Sequence, residues 1–428
     1  MSFNLFEVFT RNKAFRIFII KILSVLLNFY SIYILSNNLS LKQFGIFSVL
    51  LAAINILSTL FVFGTDQMLM REASFAISRK SYSLLNGLRL FTSTLSLSFF
   101  ILISFVCIVL NNYIFNGVDI TLLAICLIAI LFKGMLFIQQ RLLRSYSMIY
   151  KSQIPELIIR PFLFIIVSLL SIKYLNFNIT IAFTCLFVSY LISYFCSKYF
   201  EKAFEIDLNL HGRTYNFKDW FISSSKFSFV NITSIVLREA DTILLGIFQD
   251  FHGAAVYAVL KRLLMFAAFG LTSVNFVYGS TFARLYAKSD YIAISNIYLK
   301  CIREAFLLTL PIYIFIISFG SYILPLFNIY DDKSYYALII ILFTEIAHLI
   351  FGPAQLLLNM TENENITLRI LFVITLIKLV LCIILIPYYG FIGCCYATVL
   401  SYSVLYGFSY LYVKRLFNLN FINAFNKT

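Results

Sequence analysis

The sequence predicts an all-α, polytopic membrane protein of twelve transmembrane helices, arranged as two six-helix bundles in a parallel pseudo-repeat around a central cavity. Three observations predict it. The 428 residues are 61% hydrophobic and only 12% charged, with a mean hydropathy of +0.92, which is not the composition of a soluble globular protein. Apolar runs long enough to cross a bilayer recur along the whole chain. The Lys and Arg residues between them gather in alternate loops.

The elements follow in order. The N-terminal MSFNLFEVFTRNKAFRIF leads into the first apolar run without a small-residue cleavage site, and reads as an uncleaved signal anchor. Runs at about 15–35, 44–64, 84–110, 119–139, 154–174 and 178–197 make six spans. The mixed-charge stretch 198–219 then divides the chain. Six further runs lie at about 221–248, 254–282, 304–325, 335–358, 367–387 and 391–413. The expected domains are an N-terminal bundle over 1–200, a cytoplasmic linker over 201–219 and a C-terminal bundle over 220–428. Pro161, Pro311, Pro325 and the Gly352–Pro353 pair fall inside or at the ends of spans, as hinges or fixed kinks.

Loop charge sets the orientation. One side collects basic groups from Arg11, Lys13 and Arg16 through Arg79, Lys80, Arg141, Arg144, Lys151 and Arg160 to Lys414, Arg415 and Lys427, while the other has only Lys42, Lys173 and Lys333. That bias puts both termini in the cytoplasm and requires an even number of spans. The formal charge of +14 is therefore a topology signal, and no nucleic-acid partner is expected. The halves also align internally. Residues 31–50 lie without gaps on 241–260, and the run from 178 resembles the run from 390, a pattern of parallel repeats used by some transporters.

One span carries unusual charge. The run 221–248 holds Arg238, Glu239 and Asp241 inside its apolar sequence. A charge at the middle of a membrane helix costs roughly 2.5–3.5 kcal/mol on insertion scales, so these residues require partners or a polar interior. Arg238 and Asp241 are three apart and share a face, while Glu239 points about 100° away. Glu345 and His348 likewise share one face near the centre of the tenth span, where an acid beside an imidazole can relay protons or simply form a buried hydrogen-bonded pair. Eight cysteines (107, 126, 185, 196, 301, 382, 394 and 395) show no metal-ligand spacing and read as small hydrophobes. No cofactor, metal or enzymatic site is expected, and no Walker motif is present.

Three stretches carry a family resemblance: FGIFSVLLAAINILSTLFVFGTDQMLMREAS (44–74), EADTILLGIFQDFHGAAVYAVLKRL (239–263) and IPYYGFIGCCYATVLSYSV (386–404). Together they resemble the multidrug, oligosaccharidyl-lipid and polysaccharide exporter superfamily, and especially Wzx-type flippases of O-antigen repeat units. The resemblance implies a twelve-helix fold that carries an undecaprenyl-diphosphate-linked oligosaccharide from the inner to the outer leaflet of the bacterial inner membrane. It also implies the bilayer, protons or sodium ions, and the polysaccharide polymerase with its chain-length regulator as partners. Arg71 and Glu72 of REAS match a family motif, with loop anchoring as their expected role.

Such a substrate draws at least two negative charges across about 30 Å of hydrocarbon, so cations must line its route. Arg238, Lys261, Arg262, Lys378, Lys133 and Arg89 lie within expected spans and are the candidate diphosphate ligands. Snorkelling to the cytoplasmic face also accounts for Lys21, Arg89 and Lys226, and Arg238 has a structural pairing with Asp241 as its alternative. Asp241, Glu345, His348 and Glu239 are the candidates for ion coupling. Two other functions fit less well. A cation-coupled exporter of small molecules from the same superfamily would not want surplus intramembrane cations. A polysaccharide polymerase or glycosyltransferase would normally carry a large outer loop or an acidic metal site.

Overall fold

A computed structural model of the chain describes residues 13–114, 119–202, 212–361 and 363–417, and among these every regular element is helical. The start of the expected signal anchor, residues 203–211 of the expected linker and Lys427 lie outside the described residues. Among the described residues ten helices are long and apolar enough to cross a membrane, and a bent pair makes an eleventh. The remaining expected span, over 221–248, is a helix of 31 residues whose charges keep it below that standard of apolarity.

The chain divides into two compact units, Met1–Glu239 and Ala240–Thr428. Unit 1 contains α1 (Lys13–Asn38), α2 (Leu41–Val62), α3 (Thr65–Ser78), α4 (Tyr82–Ile114), α5 (Ile120–Ser145), α6 (Ile149–Tyr174) and α7 (Ile179–Lys202), and the division falls inside α8 (Phe217–Ile247). Ser40 starts α2 with a capping box: its hydroxyl accepts from the Gln43 amide, whose side chain accepts from the Ser40 N–H. Phe63 and Gly64, at φ 45° and 69°, then stop α2 in the left-handed region. Glycine is required there, because a Cβ on Gly64 would lie 2.2 Å from the Ser224 carbonyl oxygen of α8.

The chain resumes as α3, whose buried Asp66, Leu69, Ala73 and Ala76 recur at helical spacing. With Leu88 and Phe91 of α4, Leu142 and Leu143 of α5 and Trp220 of α8, this face builds the core of unit 1. Arg71 and Glu72 therefore sit on a helix rather than in a loop; Arg71 pairs with Glu72 at 2.8 Å and donates to Ser223 at 3.0 Å. On α7, Ser189, Ser193 and Ser197 are fully buried in one stripe, small enough for close packing within a membrane bundle.

The fifth span differs from expectation at its start. It begins at Ile149 rather than near 154, because the helix continues through Pro155 as a π-turn over Pro155–Ile159. A proline inside a helix removes one i→i−4 hydrogen bond, and a π-turn absorbs that loss without ending the helix.

Unit 2 continues α8 and contains α9 (Phe251–Ala267), α10 (Phe269–Ala287), α11 (Tyr291–Ile323), α12 (Asp332–Phe351), α13 (Ala354–Met360), α14 (Glu364–Tyr389) and α15 (Phe391–Phe417). The single span expected over 254–282 is instead α9 and α10, bent by 47°. Gly270, at the first turn of α10, brings that backbone against Thr309 of α11, where a Cβ would lie 2.1 Å from the hydroxyl. The span expected over 335–358 also breaks, at Gly352 (φ 67°) and Pro353. Tyr298 and Tyr313 of α11 donate their hydroxyls to the Phe351 and Leu342 carbonyls of α12, and the first of these serves an acceptor left open at the helix end.

The internal repeat reappears in the helix boundaries. Laying 31–50 on 241–260 puts Leu41, the first residue of α2, on Phe251, the first residue of α9. Laying 178 on 390 puts Ile179 on Phe391, which open α7 and α15.

Candidate functional site

Unit 1 gathers two cations near the middle of its spans. Lys133, midway along α5, is 7% exposed and donates to the Asn55 amide oxygen of α2. The Asn55 amide nitrogen in turn donates to Glu239 at 3.0 Å, so the carboxylate is one amide removed from the ammonium. Arg160, midway along α6, donates to the Asn28 amide oxygen at 2.8 Å and to the Glu156 carbonyl at 3.4 Å. Asn28 is itself fixed by donating to the Ser24 carbonyl at 2.7 Å. Both cations approach the buried Tyr190 ring of α7, Lys133 at 5.9 Å and Arg160 at 5.5 Å from its centroid. Among the described residues neither forms an ion pair with a carboxylate.

Arg160, expected toward the cytoplasmic side of its span, lies midway along α6 because that helix begins at Ile149 and runs through Pro155 as a π-turn.

Unit 2 holds a closed cluster. Asp241 is 1% exposed; its Oδ2 accepts from Lys378 Nζ at 2.7 Å and from the Tyr257 hydroxyl at 2.6 Å. Its Oδ1 accepts from the Thr242 N–H at 2.8 Å and lies 3.4 Å from Lys261 Nζ. Tyr257 and Thr398 share a further hydrogen bond of 2.8 Å. Lys378 is 2% exposed. The carboxylate thus draws its cations from α9 and α14, whereas helical spacing had suggested Arg238, whose side chain is exposed on α8. Burial makes the ion pair worth forming only because every oxygen of the carboxylate is also hydrogen-bonded.

The other candidates are spread more widely. Arg89 of α4 pairs with Glu201 of α7, which also accepts from Gln139 at 2.7 Å and Lys198 at 3.2 Å. Arg262 points away from Lys261 and donates to the Met265 sulfur at 3.5 Å. His348 Nδ1 lies 3.2 Å from Glu345 Oε2, as their spacing predicts, and the imidazole stacks on Tyr406 with centroids 4.0 Å apart.

Sequence reasoning missed Asn28, Asn55, Arg160, Tyr190, Tyr257 and Thr398. For the two asparagines a signal existed, since each interrupts an apolar run with a group that needs partners. For the tyrosines none did, among 28 in the chain.

The fold is similar to an inward-facing multidrug-resistance MATE-family transporter of the MOP superfamily, with a TM-score of 0.78 and 14% identity over 95% of this chain and 96% of that one. It is also similar to the lipid II flippase MurJ in an inward closed conformation, with a TM-score of 0.70 and 16% identity over 96% and 88% of the two chains. A MOP superfamily transporter from Pyrococcus furiosus, described by the reverse polarity of its binding pocket, gives 0.66 and 13% over 95% and 94%. These likenesses establish the all-α, twelve-span transporter fold. None of the curated protein sequences gives a significant match. The family model described as "Polysaccharide biosynthesis protein" matches residues 34–328, and the chain belongs to that family.

Proposed function

We propose that this protein is a flippase that carries an undecaprenyl-diphosphate-linked oligosaccharide, an O-antigen repeat unit, from the inner to the outer leaflet of the bacterial inner membrane by alternating access. The observation that carries this reading is the pair of mid-span cations in unit 1, Lys133 and Arg160, whose direct polar partners are neutral. Buried charges are ordinarily matched by an opposite charge. Two cations held by amides and an aromatic ring offer their uncompensated charge to an anion that arrives from outside. Arg160 presents a planar fork suited to two phosphate oxygens, and Lys133 a point charge suited to a third. The same positive field disfavours the cationic substrates of a drug exporter.

The polysaccharide family supports an oligosaccharide cargo, and the similarity to a lipid II flippase supports a lipid-linked one. Movement is coupled to an ion gradient through unit 2. A proton or sodium ion taken up by Asp241 weakens its hold on Lys378 and Lys261 and frees them for phosphate, with Arg238 and Arg262 as further cations along the route. Glu345 with His348, and Glu239, are the remaining exchangeable groups.

Both termini lie in the cytoplasm. Reporter fusions at Asn112, Asn176, Asp250, Asp332 and Tyr389 are expected outside and those at Lys80, Lys151, Arg213, Lys288 and Asn363 inside; one reversed loop overturns the orientation. The function is tested in proteoliposomes loaded with a fluorescent undecaprenyl-diphosphate-linked oligosaccharide. Translocation should need the protein and respond to an imposed pH or sodium gradient. Transport of a lipophilic cation, with none of the lipid-linked sugar, overturns the reading.

A further inference from the structure

A second basic site lies in unit 1, separate from the Lys133 and Arg160 pair. A cavity of about 130 Å³ opens beside α4, α5 and α7, and Arg89, Lys198, Gln139 and Tyr194 form its polar end while Phe61, Leu97 and Met135 form its apolar end. Its volume exceeds the ~30 Å³ share of a single water several-fold. At the polar end two cations share one carboxylate, Glu201, which leaves a net single positive charge. Both Glu201 oxygens are occupied: Oε1 meets Arg89, and Oε2 meets Gln139 and Lys198. This end of the cavity therefore carries a net positive charge with guanidinium, ammonium and amide N–H donors along its wall. The Tyr194 hydroxyl, which also lines it, makes no hydrogen bond among the described residues.

Position and shape narrow the ligand. Arg89 lies about 10 Å along α4 from its first residue, and Lys198 about 6 Å from the last residue of α7. Both helix ends adjoin the loops that collect the basic residues, so the polar end sits at the depth of lipid phosphates. From the cavity, Leu97, Ile101 and Phe105 continue along α4 as an apolar stripe, 43%, 69% and 66% exposed. That stripe runs toward the bilayer interior, where acyl chains lie.

We propose that this cavity binds the phosphate of an anionic phospholipid, with an acyl chain laid along the Leu97, Ile101 and Phe105 stripe. Two cations against the single Glu201 carboxylate repel a headgroup ammonium and attract a headgroup of net negative charge, so the site selects for anionic lipid.

The test is native mass spectrometry of the full-length protein in detergent, with phosphatidylglycerol and phosphatidylethanolamine offered at equal concentration. The wild type should retain phosphatidylglycerol severalfold more than phosphatidylethanolamine. R89Q/K198Q should lose that preference, and K133M/R160Q should keep it. An unchanged preference in R89Q/K198Q overturns the site. Should that variant fail to fold, Leu97→Trp at the exposed mouth leaves the ion pairs intact and is expected to lower phosphatidylglycerol retention; full retention overturns the proposal. A thermal-shift arm with inorganic phosphate separates the sources: a shift as large as that given by phosphatidylglycerol overturns the lipid in favour of free phosphate.

Discussion

In unit 1 the mid-helix cations Lys133 and Arg160 face amides and an aromatic ring, whereas in unit 2 Lys378 and Lys261 close on one carboxylate, Asp241. The difference separates two uses of buried charge. A cation paired inside its own fold serves stability, because its desolvation is offset where it stands. A cation left with neutral partners stores an unmet interaction that a ligand completes. On the proposed function, unit 1 receives the anion while unit 2 keeps its cations paired.

The comparison breaks most readily in transport. K133M/R160Q should reduce translocation of the lipid-linked oligosaccharide by about 10²–10⁴-fold, since each charge-assisted contact is worth about 1.5–3 kcal/mol. Immunoblots of the membrane fraction should show an unchanged protein level. Normal surface polysaccharide in a flippase-null strain carrying this variant would dissolve the distinction between the units.

Stability should respond in the opposite sense. Lys378→Met leaves the buried Asp241 with only the more distant Lys261 as its cation and should destabilise the protein by about 2–3 kcal/mol, while Lys133→Met, which removes a charge without an ion-pair partner, should change stability by about 1 kcal/mol or less. Thermal unfolding in detergent distinguishes them, and Asp241→Asn added to Lys378→Met should recover most of the loss. Equal effects from the two lysine variants would show that both clusters are structural.

Backbone strain sharpens the contrast further. Gly64 and Gly352 both hold positive φ, but a Cβ at Gly64 meets the Ser224 carbonyl at 2.2 Å, and one at Gly352 meets the Ile302 side chain at 2.6 Å. Backbone cannot yield as a side chain can. Gly64→Ala should therefore lose about 2–3 kcal/mol and Gly352→Ala about 1–2 kcal/mol, from a strain of order 1–3 kcal/mol per site; the reverse order in thermal unfolding would contradict this.

The smallest expected effect concerns two tyrosines. Tyr257 uses its hydroxyl, bonded to Asp241 and Thr398, so Tyr257→Phe should cost about 1–2 kcal/mol of stability. Tyr190 uses its ring, and Tyr190→Phe should change both stability and transport by less than about twofold to threefold, within ~0.5 kcal/mol. A large loss in transport from Tyr190→Phe would transfer the role from ring to hydroxyl.

Much of this was legible in one dimension. Apolar run length and loop charge are local quantities, so the helical class, the number of spans and the register of the repeat could all be read before any helix was packed. The same holds for Glu345 and His348, which lie three apart on one helix and meet as their spacing requires. Partners on different helices could not be read that way. Asp241 meets Lys378 across 137 positions of sequence, and helical periodicity offered only the nearer Arg238.

The sequence by itself determined that this chain lives in a membrane, how often it crosses and which residues are too polar for lipid, because each follows from the cost of exposing a polar group to hydrocarbon. Tertiary structure alone decided which cations are neutralised and which are not. It let α6 run on through Pro155, so that Arg160 lies midway along that helix, and it closed Asp241 on two lysines while leaving Lys133 with an asparagine. The physical reason is range: the cost of burying a charge belongs to the residue, but its compensation depends on groups within about 4 Å, and only packing brings those together.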